Sequence, residues 1–288
     1  MAPKVSLLVP IWRLQATYFE KCLQSLVRQD YPAGSVEVSV CLDGTPSREA
    51  STIESELRQS GLNYVLTVLP NRQGIANARN ACADSATGDW LVLVDHDDWL
   101  HKDAVRALVD RAGPGIDLVY SNYEQVEPTG RIIFRSRVAA YHRLLIAKGR
   151  SWDSPLLHST FILQAIMIRA GAFRAAGGFD ASAGLAHEVD LRTRMFFGDN
   201  FECVGRALYC YVKRTNSTYH TRYKELVQDT CRVMLRHFRK YRPDASTCRR
   251  LGKVAPFRVT HYGFYDQEGS LIPIEWADYR NMMLRTPF

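Results

Sequence analysis

Three acids, Asp95, Asp97 and Asp98, follow directly on an apolar stretch, residues 90–94, within LVLVDHDDWL. Carboxylates a few ångströms apart repel and raise one another's pKa, so crowding them implies a cation. In an extended segment residues two apart project to the same side, which lets Asp95 and Asp97 face one ligand. Their hard oxygens suit Mn2+ or Mg2+, ions that also bind substrate phosphates. Asp98 has an ordinary alternative as the cap of a helix starting near His101, since Asp is favoured at N-caps. Upstream, NRQGIANARN sets Gly74 where a helix begins and Arg79 about one and a half turns further on. A helix N-terminus and a guanidinium together suit an anion. Pro10, Trp12 and Arg13 follow the first apolar stretch and place a flat aromatic where a nucleobase could stack, although packing alone also puts aromatics at strand ends.

The elements that must position these groups alternate over the first 120 residues. VSLLVP, VEVSVCLD, YVLTVLP, WLVLVD and DLVYSN read as strands, and residues 17–29, 48–60, 75–86 and 101–112 between them read as helices. That rhythm predicts an α/β fold: a single Rossmann-like, mostly parallel sheet flanked by helices. In such sheets ligands bind beyond the C-terminal ends of the strands, where Pro10, Asp43, Asn71 and Asp95 fall. After Tyr120 the pattern loosens into RIIFRSR, FILQAIMI and ECVGRALYCYV, with an acidic helix start near Glu188. A helical period returns over 222–241, with Leu226, Thr230, Met234, Phe238 and Tyr241 on one face and Arg232, Arg236, Arg239 and Lys240 elsewhere. This C-terminal helical extension either docks on the core with a solvated basic face or lies, through residues 222–242, against an anionic membrane as a peripheral contact.

Composition bounds the partners. The 288 residues are 46% hydrophobic and 23% charged, ordinary values for a globular protein. No apolar run approaches the ~20 residues that span a bilayer, and MAPKVSLLVP is too short and strand-like for a secretory signal. The seven cysteines show no C-x-x-C pair, which suits buried thiols in a reducing compartment. The expected location is therefore cytoplasmic, at most peripheral to the inner face of the membrane. The net charge of +7 suits nucleic acid, anionic lipid or a phosphorylated small molecule. Because the basic residues are scattered and no recognition motif occurs, no nucleic-acid partner is expected.

VSLLVPIWR, CLDGT, NRQGIANARN, LVLVDHDDWL and GGFDASAGLAHEVDLRTRM, in that order over roughly residues 4–215, resemble the family 2 inverting glycosyltransferases with the A-type fold. The resemblance implies a nucleoside-diphosphate sugar donor, uridine-linked, a hydroxyl acceptor on a saccharide, lipid-linked sugar or small molecule, and Mn2+ or Mg2+. It implies that Trp12 stacks on the base, that Asp43 contacts base or ribose, and that Arg79 sits near the nucleotide. Asp95 would address the ribose or metal region and Asp97 would ligate the metal. In AHEVDL the family's acidic pair falls on His187 and Glu188, so Glu188 takes the place of the base that deprotonates the acceptor, and Asp190 would begin the helix supporting it. Residues 1–120 would then form a nucleotide-sugar-binding half, 121–221 an acceptor and catalytic-base half of the same domain, and 222–288 the helical extension.

The sequence departs from that pattern in three places. Leu42 stands where an acid often precedes Asp43, and His187 where an acid is common. Val212 and Arg214 stand where an Arg and a His are frequent, while Ser217 fits, and His220 is either a late contact to metal or diphosphate or a surface histidine. Acceptor contacts are expected between residues 120 and 185, with Trp152, His158 and Gln164 as candidates. Two rivals remain open. A sugar-phosphate nucleotidyltransferase should carry a Gly-rich basic loop after the first strand, and PIWRLQATYF has no glycine. A non-catalytic nucleotide-sugar- or carbohydrate-binding module is compatible with the Leu42 and His187 departures.

Overall fold

The computed structural model describes residues 2–136, 166–195, 200–214 and 221–241, with isolated positions 138, 217, 264, 265, 271 and 272. Trp152, His158, Gln164 and His220 lie outside the described residues.

The Leu- and Val-rich strands β1 (Val5–Ile11) and β2 (Val36–Asp43) are buried at every residue, as expected of strands covered on both faces. They pair in parallel, with β3 (Tyr64–Leu69) beyond β2 and β4 (Trp90–Leu93) on the other side of β1. Helix α1 (Ala16–Val27) turns Phe19, Cys22, Leu23 and Leu26 inward, the spacing of one helical face. It shares a core layer with Ile53 and Leu57 of α2 (Ser47–Ser60). Helix α3 (Ile75–Ser85) covers the opposite face, packing Ala78, Cys82 and Ala83 with Leu8, Cys41 and Leu91. The strand-to-helix rhythm of the N-terminal region thus becomes three layers, with every crossover opening at the same edge of the sheet.

The remaining strands extend this sheet to nine among the described residues, in the order β3-β2-β1-β4-β8-β6-β9-β5, with β7 on β6. Strands β6 (Leu118–Val126) and β9 (Phe201–Val212) run with the first four. Three strands run against them: β5 (Trp99–Leu100), β7 (Ile132–Arg135) and β8 (Ile166–Arg169). The sheet is therefore mostly parallel, with β8 inserted between β4 and β6 and pairing with both. Helix α4 (Ala104–Val109) is shorter than the expected 101–112, because Trp99 and Leu100 serve as an edge strand and the His101 N–H donates to the Leu208 carbonyl at 3.0 Å.

Behind β8, helix α5 (Ala170–Ala175) leads to a 3-10 segment (Ala181–Ala186), which runs into helix α6 (His187–Met195). Helix α7 (Tyr223–Tyr241) packs on that segment and on α6. Its buried side chains include Asp229, Val233 and His237. Polar partners on the core draw Asp229 and His237 inward. No helix among the described residues is long and apolar enough to cross a membrane. Cys22, Cys41, Cys82, Cys203 and Cys210 are free thiols, all but Cys203 buried.

Candidate active site

A cleft of about 710 Å³ opens beyond the C-terminal ends of β1, β2 and β4. From the first half of the chain, Pro10, Trp12, Asp43, Gly74, Arg79, Asp95 and Asp97 line it. From α6 come His187 and Glu188, and the start of α7 adds a wall through Arg222 and Leu226. Among the described residues expected at the site, Asp190 and Asp98 are not part of this lining.

Asp43 ends β2 with its carboxylate already engaged: Oδ1 accepts the Gln73 N–H and Oδ2 the Gly74 N–H at 2.9 Å. It thereby pins the loop that starts α3, and the neighbouring Gly44 is needed because a Cβ there would overlap the Arg72 backbone. The pinned loop carries Arg72 across Trp12, its guanidinium 3.6 Å from the ring centroid, while Arg13 lies 4.6 Å from the same ring. Trp12 is 38% exposed, so a flat plate flanked by two cations faces the mouth of the cleft. Leu42, in contrast, is fully buried in the core, which is why no second acid stands there.

Arg79 is the centre of the arrangement. Buried on α3, it donates through Nη2 to Asp95 Oδ1 at 2.7 Å and through Nη1 to His187 Nε2 at 2.9 Å and to Glu188 Oε1. Arg192, one turn along α6, donates to Glu188 Oε2 at 2.8 Å. Burial alone would raise the Glu188 carboxyl, but Arg79 and then Arg192 outweigh it and hold the pKa down to about 2. Burial likewise opposes the charge on Arg79, and Glu188 and Asp95 more than restore it.

His187 solves a different problem. A guanidinium only donates, so Nε2 must be unprotonated, and Nδ1–H then donates to the Gly184 carbonyl at 2.9 Å. Burial, followed by Arg79, pushes its pKa down to about 4. The residue in the acid's usual place is therefore a neutral acceptor for Arg79.

Asp95, Asp97 and Asp98 each offer a carboxylate oxygen within 4.8 Å of the others. Asp95 spends Oδ1 on Arg79, and Asp97 spends Oδ2 on Arg214. Among the described residues the other oxygen of each is not engaged, so this pair fits a hard divalent ion. Asp98 has another task. It is buried, and its oxygens accept the Tyr209 O–H and the Val212 N–H, both at 2.8 Å, so it anchors β9 and does not cap a helix. Burial, then Asp95, drives its pKa upward.

Asp190 sits inside α6, which starts at His187, so it does not begin that helix. Its Oδ1 accepts from His237 Nε2 at 2.8 Å and Arg236 Nη2 at 2.7 Å, and its Oδ2 from Arg194 Nε at 2.9 Å. Asp190 thus ties α6 to α7. A second tie lies at Gly184, where a Cβ would overlap the Asp229 carboxylate that accepts the Leu185 N–H at 2.8 Å. Sequence reasoning passed over Arg192, Arg72 and Tyr209. The i,i+4 spacing from Glu188 could have found Arg192; Arg72 and Tyr209 depend on loop path and strand register.

The family model described as Glycosyl transferase family 2 matches residues 6–173. EpsH of Bacillus subtilis is 30% identical over 130 residues, which make up 45% of this chain and 36% of that protein. An N-acetylglucosaminyltransferase of Rhizobium leguminosarum is 29% identical over 38% of this chain and 25% of its own length. The matches thus span about a third or less of these relatives. Among solved structures, TarS of S. aureus in complex with UDP-GlcNAc superposes with a TM-score of 0.66 at 18% identity, over 90% of this chain and 72% of that one. The mannosyltransferase PcManGT of Pyrobaculum calidifontis, in complex with GDP-Man and Mn2+, gives a TM-score of 0.63 at 18% identity, over 100% of this chain and 77% of that one. At such identities the likeness shows the A-type fold.

Proposed function

This chain belongs to glycosyl transferase family 2, and from that premise we propose that it moves a sugar from a nucleoside-diphosphate sugar, uridine-linked, to an acceptor hydroxyl with inversion at the anomeric carbon. The observation that carries the reading is the bridge made by Arg79. One buried guanidinium joins Asp95, on the D-x-D side of the cleft, to Glu188 on α6. A base and a diphosphate site on opposite sides of one sugar need that proximity. The relatives' ligands, UDP-GlcNAc in TarS and GDP-Man with Mn2+ in PcManGT, support a donor of this class.

In this reading Trp12 and Arg72 receive the base, and the Asp43-pinned loop presents the start of α3. Asp97 and Asp95 would hold Mn2+ or Mg2+, which when bound supplies charge that stabilises the departing diphosphate. Glu188 takes the acceptor proton. With two guanidiniums on it, Glu188 is a weak base, and its pKa of about 2 must rise before it can act. A donor diphosphate competes for Arg79, and loss of that ion pair moves the carboxylate toward its ordinary range. Base strength is then coupled to donor occupancy, and positioning of both substrates contributes further. Cytoplasmic location with residues 222–242 near the inner membrane face belongs to the same proposal, although Arg232 and Arg236 are already paired with Asp229, Asp180 and Asp190.

Glu188→Gln tests the assignment. Calorimetric titration with UDP should show affinity within a few-fold of the unaltered chain. Transfer should fall by about 10²–10⁴, the usual worth of a positioned base. Near-normal turnover in that variant removes Glu188 from the mechanism.

A further inference from the structure

Asp97 is one of the two carboxylates best suited to a hard cation, yet it already faces one. Arg214, two residues past the end of β9, forms an ion pair with it, and the two side chains are only 14% and 16% exposed. The backbone around Arg214 is held in place. The Val212 N–H is fixed on Asp98, the Lys213 N–H donates to the Val126 carbonyl at 2.8 Å, and the Arg214 carbonyl accepts the Ser217 N–H at 3.3 Å. The guanidinium lies 5.2 Å from the centroid of the Tyr18 ring, and its buried Nε has no acceptor among the described residues. Arg79 stands against Asp95 in the same way. Both D-x-D carboxylates are therefore formally neutralised by arginines before any ion arrives. A divalent ion entering at Asp97 meets a fixed like charge on the far side of its ligand, in surroundings with little water to screen it.

We propose that Arg214 sets the cation affinity of the D-x-D pair: it opposes a divalent ion at Asp97, so that the ion is held weakly by the chain alone and firmly only once a donor diphosphate adds its negative charge. This rests on the reading of the cleft as a nucleotide-sugar site and deepens it. Donor and metal bind as a unit, and free metal does not accumulate in the cleft. Arg214 acts through Asp97 and is a positioning residue, not a catalytic one.

The test is a Mn2+ titration without nucleotide, followed by the loss of the free-ion electron paramagnetic resonance signal. Arg214→Gln and Arg214→Met, which remove the charge, should each bind Mn2+ at least about tenfold more tightly than the unaltered chain. Arg214→Lys, which keeps the charge, should stay within about threefold of it. Adding Asp97→Asn to Arg214→Gln should abolish the gain. Equal or weaker Mn2+ binding in the neutral variants, or a gain in Arg214→Lys equal to theirs, overturns the proposal. The donor reading stands or falls separately, on UDP titration of the unaltered chain.

Discussion

At the residue scale, His187 makes the site sensitive to mild acid. Its pKa is held down to about 4 in the folded chain, against an ordinary value of 6.5. Between those values the unfolded chain binds the proton and the folded one does not, so stability falls as pH drops from 6.5 toward 4. The loss reaches about 3 kcal/mol at most once pH passes below the folded value. Thermal denaturation from pH 7 to pH 4.5 should show a falling melting temperature, and His187→Gln, which keeps an acceptor for Arg79, should flatten that slope. An equally steep slope in the variant would place the sensitivity elsewhere. Asp95, Asp97 and Arg79 were legible as cleft residues from their places at a strand end and early in a helix, whereas Glu188 came only from the resemblance of AHEVDL to the family's pattern. The roles of Asp98 and His187 were not legible. Asp98 looks like a cap in one dimension, and only the register of β9 brings Tyr209 and Val212 to it.

At the scale of elements, the 3-10 segment between Asp180 and His187 decides where Glu188 stands. Gly184 has φ 59 and ψ −130, a conformation that side chains resist, and it gives way to Asp229 of α7. Gly184→Ala should therefore cost about 1–3 kcal/mol from backbone strain alone, lower the melting temperature, and reduce transfer more than it reduces UDP affinity, because in the proposed reading Trp12, Arg72 and the Asp43-pinned loop, not this segment, receive the donor. Unchanged stability and transfer would show that α7 docks without the close approach. The existence and span of α7 were readable from its period, within one residue at its start. That Asp229 and His237 also turn inward was not. An apolar stripe predicts which side is buried only when apolar contacts decide the matter, and here Asp229 and His237 hydrogen-bond to the Leu185 N–H and to Asp190.

At the scale of the whole molecule, the cleft is assembled from both halves of the chain, and one of the joints between them lies at Asp98. Asp98, immediately before β5, accepts from the strand β9 that carries Arg214 close behind it, and the Asp95 N–H donates to Tyr209 Oη at 3.1 Å. The alternation of strands and helices made the first four strands legible as a parallel sheet. The place of β8 was not legible, because an apolar run of four residues carries no mark of its partners or direction. That place has a consequence for the order in which the chain can be made. During synthesis β4 emerges about seventy residues before the strand that closes its open side, and until then Trp90–Leu93 offers a bare apolar edge to any other strand in reach. Expression of residues 1–115 alone should give aggregated protein, whereas a chain carried past β8 and β9 should stay in solution; a monomeric, folded 1–115 fragment would show that the nascent edge is shielded by other means.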